Sequence, residues 1–172
     1  MAGSCGSLEA QLFKKKSKAA APFVEPRLAP GQFEWYPDRA PVGPILVVVS
    51  IDDQVAYVYR NGVLIGQSPI DLQQPEKGIP AGVFLMLEGT EPGANSVVPG
   101  RPARPWATLS LEKEMSANLI EDFRRRLYIP ADFARRIYEL AQPGTILVTT
   151  SAASNAGTSS GTDFTIMRPQ GR

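Results

Sequence analysis

The fold of this chain is decided by residues 45–66, which read ILVVVSIDDQVAYVYRNGVLIG. Residues 45–51 are a run of β-branched and aliphatic side chains, which predicts a strand buried on both faces. Asp52 and Asp53 mark a turn. Residues 54–60 then alternate two sets of side chains, one on each face, and predict a second strand.

The same stretch continues through a tight turn at the Asn61-Gly62 pair. Both central residues of a type I′ turn need a positive φ, and Asn-Gly is the pair that favours it most. Residues 63–68 therefore return as the third strand of an antiparallel meander. Further along the chain, 83–87 and 106–111 predict two more strands. The proline- and glycine-rich residues between them, 91–105, predict a long loop or flap.

The helical part of the sequence begins at 112–126. Apolar residues recur there at helical spacing, and early acids with late arginines complement the helix dipole. Pro130 and Asp132 predict the start of a second helix with one buried stripe. That stripe is formed by Phe133, Ala134, Ile137, Tyr138 and Ala141. With a last strand at 145–150, the sequence predicts a mainly β fold with two helices, a curled antiparallel or mixed β-sandwich.

Two terminal segments flank the predicted domain, which spans residues 45–150. Residues 1–44 form an extended arm rich in Pro, Ala and Lys, whose prolines interrupt regular elements. The aromatic residues of interest in the arm are Phe33, Trp35 and Tyr36. We expect them either to fasten the arm to the domain surface or to contact a partner. Residues 151–172 form a Ser- and Gly-rich tail, in which 163–167 is a candidate short edge strand.

The composition excludes several classes of function. The 172 residues include 18 Lys and Arg, 17 Asp and Glu, one Cys and no His. The near-neutral charge gives no field to attract nucleic acid, so we expect no nucleic-acid partner. One cysteine and no histidine exclude an internal disulfide, zinc sites of the Cys/His type, and Ser-His or Cys-His mechanisms. No apolar run approaches the roughly 20 residues of a membrane span, and we expect no metal or cofactor.

Three segments resemble the L,D-transpeptidase catalytic domain of the YkuD type, in the order that this family has them. The first is the hairpin of 45–66, with its Gln54 and its Tyr-x-x-Gly turn. The second, residues 79–84, reads IPAGVF and resembles the family's Thr-Pro-x-Gly-x-Phe segment, with Ile in place of Thr. The third, 130–149, resembles the helix and strand that close the domain. Such enzymes cross-link peptidoglycan, or attach proteins to it, through a cysteine acyl-enzyme, so the resemblance implies an L,D-transpeptidase-like fold.

The catalytic segment of that family is a Ser-His-Gly-Cys-x-Arg run directly before the closing helix, with another histidine on an upstream strand. Aligned back from Pro130, its histidine, glycine, cysteine and arginine fall in turn on Arg124, Arg125, Arg126 and Tyr128. The upstream histidine aligns near Ser110. Arginine is neither a nucleophile nor a base near neutrality, and Cys5 has no histidine to pair with. The resemblance therefore implies the fold, while these residues indicate that the reaction has been lost.

The arginines of this region have two interpretations. They are Arg124, Arg125, Arg126, Arg135 and Arg136. In the first, they form one face that binds carboxylates or phosphates. In the second, they lie on solvated helix surfaces and pair with neighbouring acids, where each exposed pair contributes about 0–1 kcal/mol. Those acids are Glu121, Asp122, Asp132 and Glu139.

Three functional hypotheses follow from the sequence. The leading one is a non-catalytic L,D-transpeptidase-like subunit that binds or scaffolds peptidoglycan or an envelope protein. The second is a peptidoglycan transferase with a non-standard nucleophile, such as Ser110 or Ser116 with Lys113 as base. The third is a binder of acidic ligands through the arginine cluster. Family analogy implies the periplasm or cell envelope as the location, with the cytoplasm as the alternative. Both stay open because residues 1–7 are either a remnant that replaces an export signal or the true start of a cytosolic protein. The sequence indicates no oligomeric state.

Overall fold

A computed structural model of the chain describes residues 28–77, 79, 81–110 and 117–153. Within these ranges the chain is mainly β with two helices and a mixed sheet, which confirms the predicted fold class. The strands are β1 (Glu34–Trp35), β2 (Ile45–Ser50), β3 (Val55–Arg60), β4 (Val63–Pro69), β5 (Asp71–Leu72), β6 (Gly82–Met86), β7 (Glu91–Ala94), β8 (Pro102–Ala103), β9 (Trp106–Ser110), β10 (Leu127–Tyr128) and β11 (Ile146–Thr150). The helices are α1 (Ala117–Arg126) and α2 (Ala131–Leu140).

Seven strands form one sheet in the order β1-β4-β3-β2-β11-β6-β9. Every neighbouring pair is antiparallel except β2 and β11, which run parallel in the middle of the sheet. Two short antiparallel ladders, β5 with β10 and β7 with β8, complete the described strands. Parallel neighbours need a long crossover, and here residues 51–145, from β3 through α2, provide it.

The meander of β2, β3 and β4 forms as its sequence predicts. Asn61 and Gly62 connect β3 to β4 with φ values of 50° and 75°. These are the positive values that a type I′ turn requires. The register that follows pairs Val47 with Val58 and Val49 with Ala56, which places their side chains on one face. We call this the inner face, because both helices lie on it.

The core lies between the inner face and α2. Phe133 of α2 is fully buried and packs in one cluster with strand residues of the inner face. Those residues include Ile45, Val47, Val49, Ala56, Val58 and Ile65. The stripe predicted for α2 therefore contacts the sheet.

Part of the predicted arm belongs to the sheet. Residues Glu34–Trp35 form β1, which pairs with Gln67 and Gly66 of β4 at the sheet edge. Gln67 also donates a 2.6 Å hydrogen bond from its side-chain amide to the carboxylate of Glu34. The arm carries the edge strand because Trp35 reaches across β4 to pack edge-on against Phe133.

Gly66 makes room for this packing. A Cβ built on Gly66 would lie 2.5 and 2.7 Å from two carbons of the Trp35 ring, closer than any normal contact. We expect Gly66→Ala to lower the free energy of unfolding by about 1–3 kcal/mol, the usual cost of overpacking. Urea denaturation measures this loss. In a Trp35→Ala background the clash is gone, so the same substitution there should cost less than about 0.5 kcal/mol; an unchanged cost would contradict the explanation.

Three sequence predictions differ from the structure or lie partly or wholly outside the residues that it describes. The helix predicted from residue 112 has α1 from Ala117, and residues 111–116 lie outside the described ranges. The flap 91–105 contains the β7–β8 ladder, although β7 reads Glu-Pro-Gly-Ala and carries no strand signal. The candidate edge strand at 163–167 lies outside the described residues.

Candidate functional site

A cavity of about 590 Å³ lies between the inner face, α2 and the flap. Cavities of this volume are typical of small-molecule sites. Strands contribute its floor through Val47, Val49, Ala56, Phe84, Met86, Trp106, Thr108, Leu147 and Thr149. Helix α2 and the residue that follows it contribute the opposite wall through Ala134, Ile137, Tyr138 and Ala141. The floor is built by alternation, since every second residue of five adjacent strands points the same way.

The flap is held over this cavity by defined contacts. The Tyr138 hydroxyl donates a 3.1 Å hydrogen bond to the carbonyl of Pro102 in β8. The Asn95 side-chain oxygen accepts hydrogen bonds from the N–H groups of Val97 and Val98, at 3.0 and 2.9 Å. This turn directs Val98, which is buried, into the cavity wall. The flap is therefore a packed part of the site.

The rim of the cavity carries charged side chains. Arg104 lines it with its guanidinium carbon 5.2 Å from the centre of the Tyr138 ring. Arg124 also lines it and forms a salt bridge of 2.8 Å with Glu121. Glu91 is the other carboxylate at the rim. The site thus combines apolar walls with two cations and two anions at its edge.

The residues aligned with the lost catalytic segment lie at the junction of α1 and β10. Arg124 and Arg125 are exposed and both contact Glu121, at 2.8 and 3.7 Å. Tyr128 is half exposed in β10, opposite Asp71 of β5. Ser110 ends β9 opposite Gly82, and its side chain lies outside what the structure describes. Of this set, the described lining of the cavity includes Arg124.

Arg126, at the position aligned with the nucleophile, is buried with 5% of its surface exposed. Its Nε lies 3.0 Å from the Asp122 carboxylate, one helical turn earlier. Its Nη1 donates a 3.0 Å hydrogen bond to the carbonyl of Gln74, while its own carbonyl accepts the N–H of Gln73. Arg126 therefore fastens the end of α1 to the loop after β5, and it does not belong to an exposed arginine face.

The other arginines of the predicted face have separate partners. Arg135 forms a 2.8 Å salt bridge with Asp132. Arg136 lies over the ring of Phe33, 5.5 Å from its centre. Glu139 is 3.9 Å from Arg101 of the flap. Of these contacts, the Arg135–Asp132 pair is one that the second interpretation names, and an exposed pair of this kind contributes about 0–1 kcal/mol.

The aromatic residues of the arm are divided between the core and the surface. Phe33 and Trp35 pack against Phe133 with ring centres 5.5 and 5.7 Å apart. Tyr36 is exposed, and the guanidinium of Arg39 lies 3.9 Å from its ring centre. The first two therefore fasten the arm, and Tyr36 is the one of the three that is available to a partner.

Sequence reasoning missed this cavity, with Arg104 at its rim and Trp106 in its floor. Trp106 was part of a predicted strand, but nothing in the local pattern shows that its neighbours across the sheet enclose a space. Within the described ranges, no three side chains of the His, Cys, Asp or Glu type come together as a metal site would require. Neither described helix is long and apolar enough to cross a membrane.

Comparisons with known proteins give weak structural matches. No protein-family model matches the sequence, and no curated protein matches it. Bd1075 of Bdellovibrio bacteriovorus is similar at 16% identity over 72% of this chain and 54% of its own, with a TM-score of 0.45. An L,D-transpeptidase from Mycobacterium smegmatis is similar at 16% identity over 62% and 58%, with a TM-score of 0.38. An L,D-transpeptidase from Enterococcus faecium is similar at 17% identity over 63% and 50%, with a TM-score of 0.36. The chain thus spans between 50% and 58% of the length of these proteins, and similarity at this level carries no conclusion about activity.

Proposed function

We propose that this chain is a non-catalytic, L,D-transpeptidase-like domain that binds a component of the cell envelope, peptidoglycan or an envelope protein. The ligand enters the cavity between the inner face and α2. The chemistry of the cavity carries the proposal: its described lining residues include neither cysteine, histidine nor lysine. Acyl transfer needs a nucleophile activated by a base or by a lowered pKa. Of the two carboxylates at the rim, Glu121 is engaged by two arginines.

The contacts of Arg126 support the same proposal. A side chain that is buried, ion-paired and hydrogen-bonded to a loop carbonyl serves stability and cannot attack a carbonyl. The envelope assignment is supported by the sequence resemblance of the hairpin, the Pro-x-Gly segment and the closing helix. The apolar walls favour the apolar parts of a ligand, because polar groups without partners are costly to bury.

Filling the cavity tests the proposal. Ala134 of α2 and Ala141, directly after α2, both line it, so Ala134→Leu and Ala141→Leu each place three more carbons inside. We expect the wild-type protein to co-sediment with isolated sacculi or envelope fractions, and each variant to bind about tenfold more weakly, which corresponds to about 1.4 kcal/mol of lost contact.

Ala131→Leu is the matched control, because it adds the same atoms to the same helix at an exposed position. It should bind as the wild type does. Thermal unfolding checks that all three variants are folded. Equal sedimentation of folded Ala134→Leu, Ala141→Leu and wild-type protein, or no sedimentation of the wild type, would contradict the proposal.

A further inference from the structure

The face of the sheet opposite the helices, which we call the outer face, is apolar over two adjacent rows. The first row runs across five strands as Tyr59, Leu46, Ile146, Leu85 and Ala107. The second row runs beside it as Tyr57, Val48, Val148, Val83 and Leu109. No member of either row carries a charge. Burial, together with the nearby charge of Asp53, raises the pKa of Tyr59 and so keeps its phenol neutral.

The described residues leave part of this face open, most of all at Ile146 and Leu109. The core cluster of buried residues lies on the inner side, and α2 and the flap pack there. Exposure on the outer face reaches 37% at Ile146 and 54% at Leu109, whereas Tyr57 at the other end is buried. An antiparallel sheet with one solvated face normally alternates apolar and polar residues. Two apolar faces indicate that a further layer packs here.

The chain leaves the sheet on this side. Ser50 follows the inner residue Val49 and so points to the outer face. Its hydroxyl donates a 2.9 Å hydrogen bond to the carbonyl of Ala152, just after β11. The Ala152 N–H donates in turn to the hydroxyl of Thr150, at 3.0 Å. The last described residues, 152 and 153, therefore lie on the outer side of the sheet.

The other end of the described chain approaches from the opposite side. Ser68 pairs with Ala56, which belongs to the inner face, and its hydroxyl contacts the carbonyl of Gln32 at 3.4 Å. Phe33, the next residue, packs on Phe133 of α2. The described chain thus begins on the inner side, where Gln32 and Phe33 lie, and ends on the outer side, which favours the C-terminal segment as the occupant of the outer face.

The size of the apolar face favours a short segment over a second copy of the chain. Five strands about 4.8 Å apart and two rows about 7 Å apart give a few hundred Å². A stable dimer interface buries about 800 Å² on each partner. The C-terminal sequence provides a segment of suitable length, with Phe164 and Ile166 at alternating positions. The ten residues 154–163 can span up to roughly 35 Å, enough to return across the face.

We infer that residues 163–167 of this chain dock on the outer face, with Phe164 and Ile166 packed on its exposed end at Leu109. In an extended segment these two side chains share one side, while Thr165 points away. The docked segment completes the missing layer for β11, β6 and β9.

Disulfide trapping in the full chain tests the inference. Cys5→Ser removes the native thiol, and Ile166→Cys is combined with either Leu109→Cys or Trp106→Cys. Leu109 and Trp106 both lie exposed on β9 but on opposite faces. A disulfide needs Cα atoms about 4.4–6.8 Å apart. Under mild oxidation we expect a monomeric disulfide with Leu109→Cys, formed at least about tenfold faster than with Trp106→Cys, because docking holds residue 166 beside Leu109 and away from the opposite face of β9.

Mass spectrometry of the non-reduced protein identifies the bond. Equal rates at the two positions, or no monomeric disulfide, would overturn the inference. A covalent dimer formed by Leu109→Cys without Ile166→Cys would also overturn it, because a second copy would then occupy the face. As an independent measurement, Phe164→Ala with Ile166→Ala should raise the fluorescence of an apolar dye severalfold, whereas Thr165→Ala should leave it unchanged.

Discussion

Phe133→Ala should lower the free energy of unfolding by about 4 kcal/mol, the typical cost of removing a fully buried aromatic ring. Phe133 has no exposed surface and packs between the inner face and the arm. Its ring contacts Phe33 and Trp35 at centre distances of 5.5 and 5.7 Å, and such pairs add about 0.5–1.5 kcal/mol each. Such a loss is a large fraction of a typical domain stability of about 5–15 kcal/mol. Urea denaturation followed by tryptophan fluorescence measures it, since Trp35 lies at the site.

The same substitution should release the arm. With Phe133 gone, β1 keeps its short ladder to β4 but loses its ring contacts, so limited proteolysis should cut faster near Tyr36 and Arg39. Phe133→Leu is the control, because it keeps most of the volume and should cost no more than about 1.5 kcal/mol. A loss below about 1 kcal/mol for Phe133→Ala would show that the arm and α2 do not share this core.

Arg126→Ala should lower the free energy of unfolding by about 2–3 kcal/mol, because hydrogen bonds to a charged group contribute about 1.5–3 kcal/mol. The substitution removes the bonds to Asp122 and to the carbonyl of Gln74. The Asp122 side chain is 48% exposed, so water can replace its partner and the loss stays below that of a fully buried pair. Gln74 has a φ of 53°, an unfavourable value for a residue with a side chain, and the Arg126 side chain holds its carbonyl in place.

Without this bond the loop after β5 should open more often. Hydrogen exchange should then accelerate at the neighbouring Gln73, whose N–H is bonded to the carbonyl of Arg126.

Arg125→Ala is the matched control for this prediction. Arg125 is the adjacent residue of α1, its side chain is 73% exposed, and its contact with Glu121 is 3.7 Å long. Its removal should change stability by less than about 0.5 kcal/mol. Equal effects of the two substitutions would mean that Arg126 is not the clamp between α1 and the loop after β5.

Much of the fold could be predicted because its signals are local. The alternation of β3 and the Asn61-Gly62 turn specify the hairpin, and Pro130 with the apolar stripe specifies α2. The two-residue strand β1 could not be predicted, since it depends on Trp35 fitting over Gly66, 31 positions away. Likewise, three successive arginines look alike in sequence, and the contacts of Asp122 and Gln74 decide which one is buried.

The cavity could not be predicted from the sequence, because it too depends on contacts between distant segments. Its floor consists of alternate residues from β2, β3, β11, β6 and β9, and the parallel pairing of β2 with β11 brings distant segments together. For the outer face, the sequence predicts more burial than the described residues provide. The continuous apolar run of β2 predicts burial on both faces, and the described residues cover the inner one.

Intact-mass spectrometry after incubation with a carbapenem, and separately with a tetrapeptide donor, tests most directly whether this domain is non-catalytic. A β-lactam or a donor peptide leaves a covalent acyl group on any competent nucleophile. We expect the mass of the full chain, and of a Cys5→Ser variant that removes its one thiol, to stay unchanged. A stoichiometric acyl adduct on either protein, with the modified residue located by peptide mapping, would contradict the proposed loss of catalysis.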